Sequence, residues 1–374
     1  MQQLEFDCPA CRARLAAPAS GASLTCTGCG AVVQAPKIGV AAGGAPDADF
    51  MSRMSDHIAN AAGVERLEGF SLADTFSEVF SRHSEEEVER YFTVGGPDTT
   101  PTLQDVDPSW PKPWVFARML MLALLVYFGF DQAWLQYQNP NLLPGLIIVG
   151  SFAVPFATLI FFFEFNVRRN VSMFQVNKMV ISGGVLSLIF ALMFFQVTGH
   201  LHLSWLGASV APLAEEPAKL LALAFVWNKK RYPYILNGLL LGAAVGTGFA
   251  AFESAGYALR FGLGEIVPRG LLSPFGHIVW TGMSAAALWR VKRGRPVELE
   301  MFRDPRFMRV FAGAVVLHGI WDAGFDLPFY LKYIALGVIA WVVVLGLIQE
   351  GLKEIRTEKA KELAASPPKL SVAA

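Results

Sequence analysis

The chain places ionisable side chains where its sequence otherwise reads as membrane. The stretch APLAEEPAKLLAL, residues 211–223, holds Glu215, Glu216 and Lys219 inside a long apolar run. Further along, GTGFAAFESAGYALR brings Glu253, SPFGHIVWTGMSAAAL brings His277, and VVLHGIWDAGFD brings His318 and Asp322. A charged group at mid-bilayer costs a few kcal/mol or more, so it marks function unless it is paired or near a helix end. Carboxylates and histidines together can activate water, orient it, relay protons or hold a metal. A second set is Cys8, Cys11, Cys26 and Cys29, spaced C-x2-C-x14-C-x2-C. Two such knuckles, separated by a short hairpin, can present four thiolates tetrahedrally to structural zinc. Two disulfides or a redox pair are the alternatives. A redox motif would sit in a longer βαβ pattern than this segment offers.

The elements that must position these groups follow from composition. Hydrophobic residues make up 53 % of 374, and repeated apolar runs of about 20 residues indicate an all-α polytopic membrane protein. We expect about eight transmembrane helices, near 114–134, 142–164, 179–199, 203–227, 235–260, 271–290, 308–327 and 330–350. Trp114 and Trp134 flank the first expected span, and Trp205 and Trp227 the fourth, as interfacial aromatics do. Arg168, Arg169 and Lys178, then Lys229, Lys230 and Arg231, then the arginines between spans six and seven make alternate loops basic. The other loops carry few basic residues; RFGLGEIVPRG is the exception, with two. Both termini are therefore expected in the cytoplasm of a cell-membrane protein. A reducing compartment favours thiolate–zinc over disulfides.

Four regions result: a zinc ribbon over 1–36, a linker and soluble helical segment over 37–112, the membrane part over 113–351 and a cytoplasmic tail over 352–374. The N-terminus lacks the pattern of a cleaved signal peptide. Ser84 and Glu87 form a capping box that should open a helix. Phe70, Phe76 and Phe80 lie near helical spacing, which suggests an amphipathic hairpin. Formal net charge is zero, and no nucleic-acid partner is expected. The ribbon suits a cytoplasmic partner.

The membrane polar residues fall on four consecutive expected spans, at depths of roughly 10–18 Å from the outer side and under about 10 Å for Asp322, so one cavity could collect them. Lys219 is i+4 from Glu215 and i+3 from Glu216, within reach of either. One carboxylate can pair with Lys219 while the other faces water, and which does which stays open. Pro212 and Pro217 free carbonyls one turn earlier. The glycines of GLLLGAAVGTGFAAFESAG allow close helix packing. Blander readings exist: Glu216–Lys219 as a neutralised structural pair, Glu253 at an interface, and His318–Asp322 fixing a tautomer. His200 and His202 read as loop residues.

At these residues the sequence resembles the PrsW family of membrane-embedded proteases, distant relatives of the CAAX-processing and bacteriocin-processing membrane proteases. The resemblance consists of EExxK as Glu215, Glu216 and Lys219, FxxxE from Phe249 to Glu253, and the helix histidines His277 and His318. In the CAAX-processing branch histidine and arginine usually stand where this chain has Glu253 and Lys219. The resemblance spans about residues 110–350. It implies an endopeptidase acting on membrane-bound proteins, in some members an anti-sigma factor, with Glu215 or Glu216 activating water, His277 and His318 positioning it, and Glu253 orienting a histidine or shuttling the proton. Zinc on Glu253, His277 and His318, with Glu215 as base, is the alternative chemistry. A proton- or ion-coupled transporter is the alternative function, and a signalling scaffold on a degenerate protease fold is a third.

Overall fold

Long apolar runs close their backbone hydrogen bonds internally when water is absent, and in this chain they do so as helices. The structure is a computed structural model that describes residues 4–8, 13–17, 23–34, 46–198, 210–227 and 232–365. Cys11, His200, His202, Trp205 and the basic cluster 229–231 lie outside the described residues. The chain divides into two units, Met1–Met54 and Ser55–Ala374.

The first unit carries two antiparallel hairpins, β1 (Leu4–Asp7) with β2 (Arg14–Ala17) and β3 (Ser23–Thr25) with β4 (Val32–Gln34). Each hairpin bends around its own cysteine: Cys8 N donates to Ala13 O and Cys26 N to Ala31 O, both at 2.8 Å. The second knuckle, Cys26 to Cys29, therefore lies in the turn between β3 and β4. Helix α1 (Pro46–Ala62) follows.

In the second unit the soluble segment holds α2 (Leu72–Thr75) and α3 (Glu85–Phe92). The expected capping box is present, with Ser84 and Glu87 bonded reciprocally. The expected hairpin around Phe70–Phe80 does not form. Thr75 and Ser77 turn their hydroxyls back onto the Ser71 and Asp74 carbonyls, and i+3 turns follow at Val79 and Ser81. Such local bonds compete with helix propagation, and α2 stops after one turn. Phe76 packs on Phe116 and Phe161, while Phe80 is left 96 % exposed.

The helices of the apolar part are α4 (Val115–Tyr137), α5 (Leu143–Phe165), α6 (Met173–Lys178) joined through a π-turn at Met179–Gly183 to α7 (Gly184–Thr198), α8 (Pro212–Trp227), α9 (Ile235–Phe261), the short α10 (Ile266–Leu272), α11 (His277–Lys292), α12 (Pro305–Asp322) and α13 (Leu331–Ala365). Five helical stretches among the described residues are long and apolar enough to cross a membrane: 115–137, 140–165, 173–198, 235–261 and 328–365. The protein is a multi-pass membrane protein. The other three expected spans correspond to α8 and α11, of 16 residues each, and α12, which carries Arg306, Arg309 and Asp322. Shortness and charge keep these outside that set.

α9 is the central helix. Gly238, Gly242 and Gly246 recur every fourth residue and face α11: a Cβ on them would collide with Trp289, Ala285 and the His277 carbonyl. On another side, Gly248 meets the Val180 carbonyl of the π-turn and Gly184 of α7. Glycine allows this backbone-to-backbone approach, as the sequence suggested.

α4 has no side-chain cap of its own. Glu164, in the last turn of α5, supplies one: its carboxylate accepts from the backbone N–H groups of Trp114, Val115 and Phe116 at 2.8–3.0 Å. A carboxylate at the positive end of a helix dipole satisfies otherwise orphaned donors. The sequence reading assigned no such group to the first two spans. α13 runs well past its expected end to Ala365, so the segment beyond 351 begins as helix. There Lys353 pairs with Glu65 at 2.8 Å and Lys359 donates to Val106 O.

Candidate active site

Proline at the first position of α8 fixes its start, so Glu215 closes the first turn, Glu216 opens the second and Lys219 follows one turn on from Glu215. Lys219 is fully buried. Its Nζ lies 2.8 Å from Glu216 Oε1, 3.3 Å from Glu215 Oε2 and 2.8 Å from His277 Nδ1, and 4.1 Å from the centre of the Phe249 ring. An ammonium has three hydrogens, and three acceptors surround this one. A buried charge persists only when satisfied in this way.

His277 opens α11 directly after the 3-10 turn Ser273–Phe275 and Gly276. An ammonium can only donate, so His277 Nδ1 accepts from Lys219 and its Nε2–H donates to Glu253 Oε2 at 3.1 Å. His318, 2 % exposed on α12, places Nδ1 2.8 Å from Glu216 Oε1. Its Nε2 faces Asp322 Oδ2 at 3.3 Å and Glu215 Oε2 at 3.8 Å. The two histidine rings sit 4.9 Å apart, and His318 stacks on Trp280. Glu253 also accepts from Arg269 Nη2 at 2.5 Å.

These groups line one cavity of about 320 Å³, walled by Glu215, Glu253, Arg269, His277, His318 and Asp322 with Tyr257, Trp280, Trp321, Tyr330 and Tyr333. Glu216 and Lys219 stand behind the wall. The two adjacent glutamates thus separate as the helix geometry requires, Glu215 toward the cavity and Glu216 into the protein. Of the eight groups named from the membrane sequence, the structure gathers all seven charged or histidine side chains, Glu215, Glu216, Lys219, Glu253, His277, His318 and Asp322, around this cavity, with Phe249 beneath Lys219. Several of the site residues stand near helix ends, in the first turns of α8, at the first residue of α11 and in the last turn of α12, while Glu253 lies within α9. Pro212 and the 273–276 break cut the helices there. Arg269 escaped the sequence reading, although its loop stood out as the basic exception among its class.

Two donor sets suit a metal. Glu215, His277 and His318 each offer a ligand atom within 4.8 Å of the others, and two histidines with a carboxylate are a zinc set. The far nitrogen of each histidine already has a carboxylate partner, Glu253 for His277 Nε2 and Glu216 for His318 Nδ1, as metal-bound histidines commonly do. Lys219 Nζ stands on His277 Nδ1, so a metal taken there would displace that bond. The set differs from the expected Glu253, His277 and His318 because Arg269 holds Glu253. In the first unit, Cys8, Cys26 and Cys29 offer sulfurs within 4.8 Å of one another. Cys8 and Cys29 Sγ are 3.8 Å apart, close to the roughly 3.8 Å edge of a tetrahedron with Zn–S near 2.3 Å and far from the roughly 2.05 Å of a disulfide.

In comparison with known families, residues 173–348 match the one described as PrsW family intramembrane metalloprotease. No curated protein and no solved structure matches the chain.

Proposed function

We propose, from the match of residues 173–348 to the PrsW family of intramembrane metalloproteases, a family of proteases that act on protein substrates, that this chain is an endopeptidase cleaving membrane-bound proteins with Glu215 activating the water. The observation that carries the reading is the convergence of Glu215, Glu253, His277 and His318 on one cavity. Glu215 lines that cavity and is the carboxylate that meets the attacking water, accepting its proton as the oxygen attacks the scissile carbonyl. His318, 3.8 Å away through Nε2, and His277 orient that water and the developing oxyanion. Glu253 orients His277 through its Nε2–H, or takes up the proton that Glu215 releases and delivers it to the leaving amine. Glu216 and Lys219 hold the histidines in place, and Asp322 aligns His318. A divalent metal held by His277, His318 and one oxygen of Glu215 would polarise the carbonyl and acidify a bound water, leaving the second Glu215 oxygen to accept the proton.

The remaining parts of the reading rest on the sequence pattern. α8, α11 and α12 complete about eight crossings of the cell membrane over 113–351, with both termini in the cytoplasm. Residues 1–36 form a zinc ribbon on Cys8, Cys11, Cys26 and Cys29 that binds a cytoplasmic partner, followed by the 37–112 segment and, after 351, a tail. Regulated cleavage of a signalling protein such as an anti-sigma factor is the role this layout suits.

The test is cleavage by the purified chain in liposomes carrying single-span membrane proteins of the same cell membrane. Glu215→Gln and His318→Ala should each lower the rate by about 10²-fold or more. Chelation should abolish cleavage, and it should do so equally after deletion of residues 1–36. Undiminished cleavage by both variants would refute the assignment.

A further inference from the structure

Glu253 is a flexible acid that must present one oxygen to His277 in a cavity open to water. Among the described residues its hydrogen-bond donors are His277 and Arg269. A single bond from a neutral imidazole leaves the carboxylate free to swing into solvent. Arg269 removes that freedom, because the guanidinium is itself fixed at three points on one stretch of α9. Its Nη2 meets Glu253 Oε2 at 2.5 Å, its Nε donates to Ser254 Oγ at 3.2 Å, and its Cζ lies 3.9 Å from the centre of the Tyr257 ring. Glu253 and Tyr257 are i and i+4, on the same helix face. A planar fork makes two directional bonds from different nitrogens while its flat face lies over a ring, a geometry that the single nitrogen of a lysine does not reproduce.

We propose that Arg269 is a positioning residue for peptide-bond cleavage, holding the Glu253 carboxylate where it accepts from His277 Nε2–H. The proposal rests on the protease reading above. The plainer role, pinning α10 to the bundle, is already filled by Ile266, which is 2 % exposed and packs with Ile147 and Ala258. Arg269 stands one turn along α10 from Ile266, with a quarter of its side chain exposed at the cavity. Its partners are all on the α9 turn that presents Glu253.

The experiment measures kcat, KM and the unfolding midpoint for the liposome-reconstituted chain cleaving a single-span protein, in wild type, Arg269→Ala, Arg269→Lys, Glu253→Gln and the double variant Arg269→Ala/Glu253→Gln. Arg269→Ala should lower kcat by about 10- to 100-fold with KM changed by less than about threefold. Arg269→Lys should recover part of the loss, since the charge remains and the Ser254 bond does not. The double variant should be no slower than Glu253→Gln alone, because Arg269 acts through that carboxylate. Additive losses, unchanged kcat in Arg269→Ala, or a loss that Arg269→Lys leaves unrelieved and that tracks the unfolding midpoint overturn the assignment. If Glu253→Gln and Glu215→Gln both cleave normally, the protease site itself is misassigned. If those two fail and Arg269→Ala cleaves normally, only the role of Arg269 falls.

Discussion

Lys219→Met replaces a fully buried ammonium with a neutral chain of similar length, and its effect can be worked from the three contacts it removes. Glu215 loses a partner at 3.3 Å but borders the cavity, where water can take over. His277 Nδ1 loses a donor and also lies at that wall. Glu216 has no such recourse: it is 1 % exposed, and after the change it keeps, among the described residues, only His318 Nδ1. The cost is therefore that of one broken buried ion pair, about 3–5 kcal/mol, or roughly two to four orders of magnitude in the unfolding equilibrium. The assay is equilibrium unfolding in mixed micelles titrated with a denaturing detergent, followed by tryptophan fluorescence and helicity. Lys219→Met/Glu216→Gln supplies the internal control. Removing the stranded charge as well should restore at least half of the loss, because a neutralised buried pair is often near neutral in stability. A single-variant loss under about 1 kcal/mol, or a double variant as unstable as the sum of its parts, would show that the Lys219 cluster is not a closed buried network.

Other expectations concern the frame around the site. Gly248→Ala places a methyl against the Val180 carbonyl and Gly184 and should cost about 1–3 kcal/mol by overpacking, whereas Gly256→Ala, with open space around it, should be close to neutral in the same unfolding assay. Glu164→Gln turns a donor amide toward the N–H groups of 114–116 and should cost about 1–3 kcal/mol, read as faster amide exchange in the first turn of α4. Asp304, the N-cap of α12, has its carboxyl held below the usual aspartate range by the Arg306 side chain. A depressed folded pKa gives stability that is present at neutral pH and lost as pH falls through the acid range, so the amide protection factor at the start of α12, taken relative to the intrinsic exchange rate at each pH, should fall at acid pH in wild type and stay constant there in Asp304→Asn.

What was legible in the sequence was chemistry and pattern. Ionisable side chains in apolar runs are costly, so the sequence alone suggested that Glu215, Glu216, Lys219, Glu253, His277, His318 and Asp322 gather at one cavity, and the i+3 and i+4 spacing tied Lys219 to both glutamates. The glycine spacing of α9 forecast its close packing, and the cysteine spacing forecast the sulfur cluster of Cys8, Cys26 and Cys29. Local hydrophobic spacing was a weaker guide at 70–80, where hydroxyl-to-carbonyl bonds ended a helix after one turn. Three things only the tertiary structure decided. It turned Glu215 to the cavity and Glu216 inward, a choice set by where α11 and α12 bring His277 and His318. It exchanged Glu253 for Glu215 in the metal-capable set, because Arg269 arrives from a separate helix. It set Glu164 across the start of α4, a cap between residues about fifty positions apart. Each depends on groups from different elements meeting in space, and spacing along one helix carries no information about a partner on another.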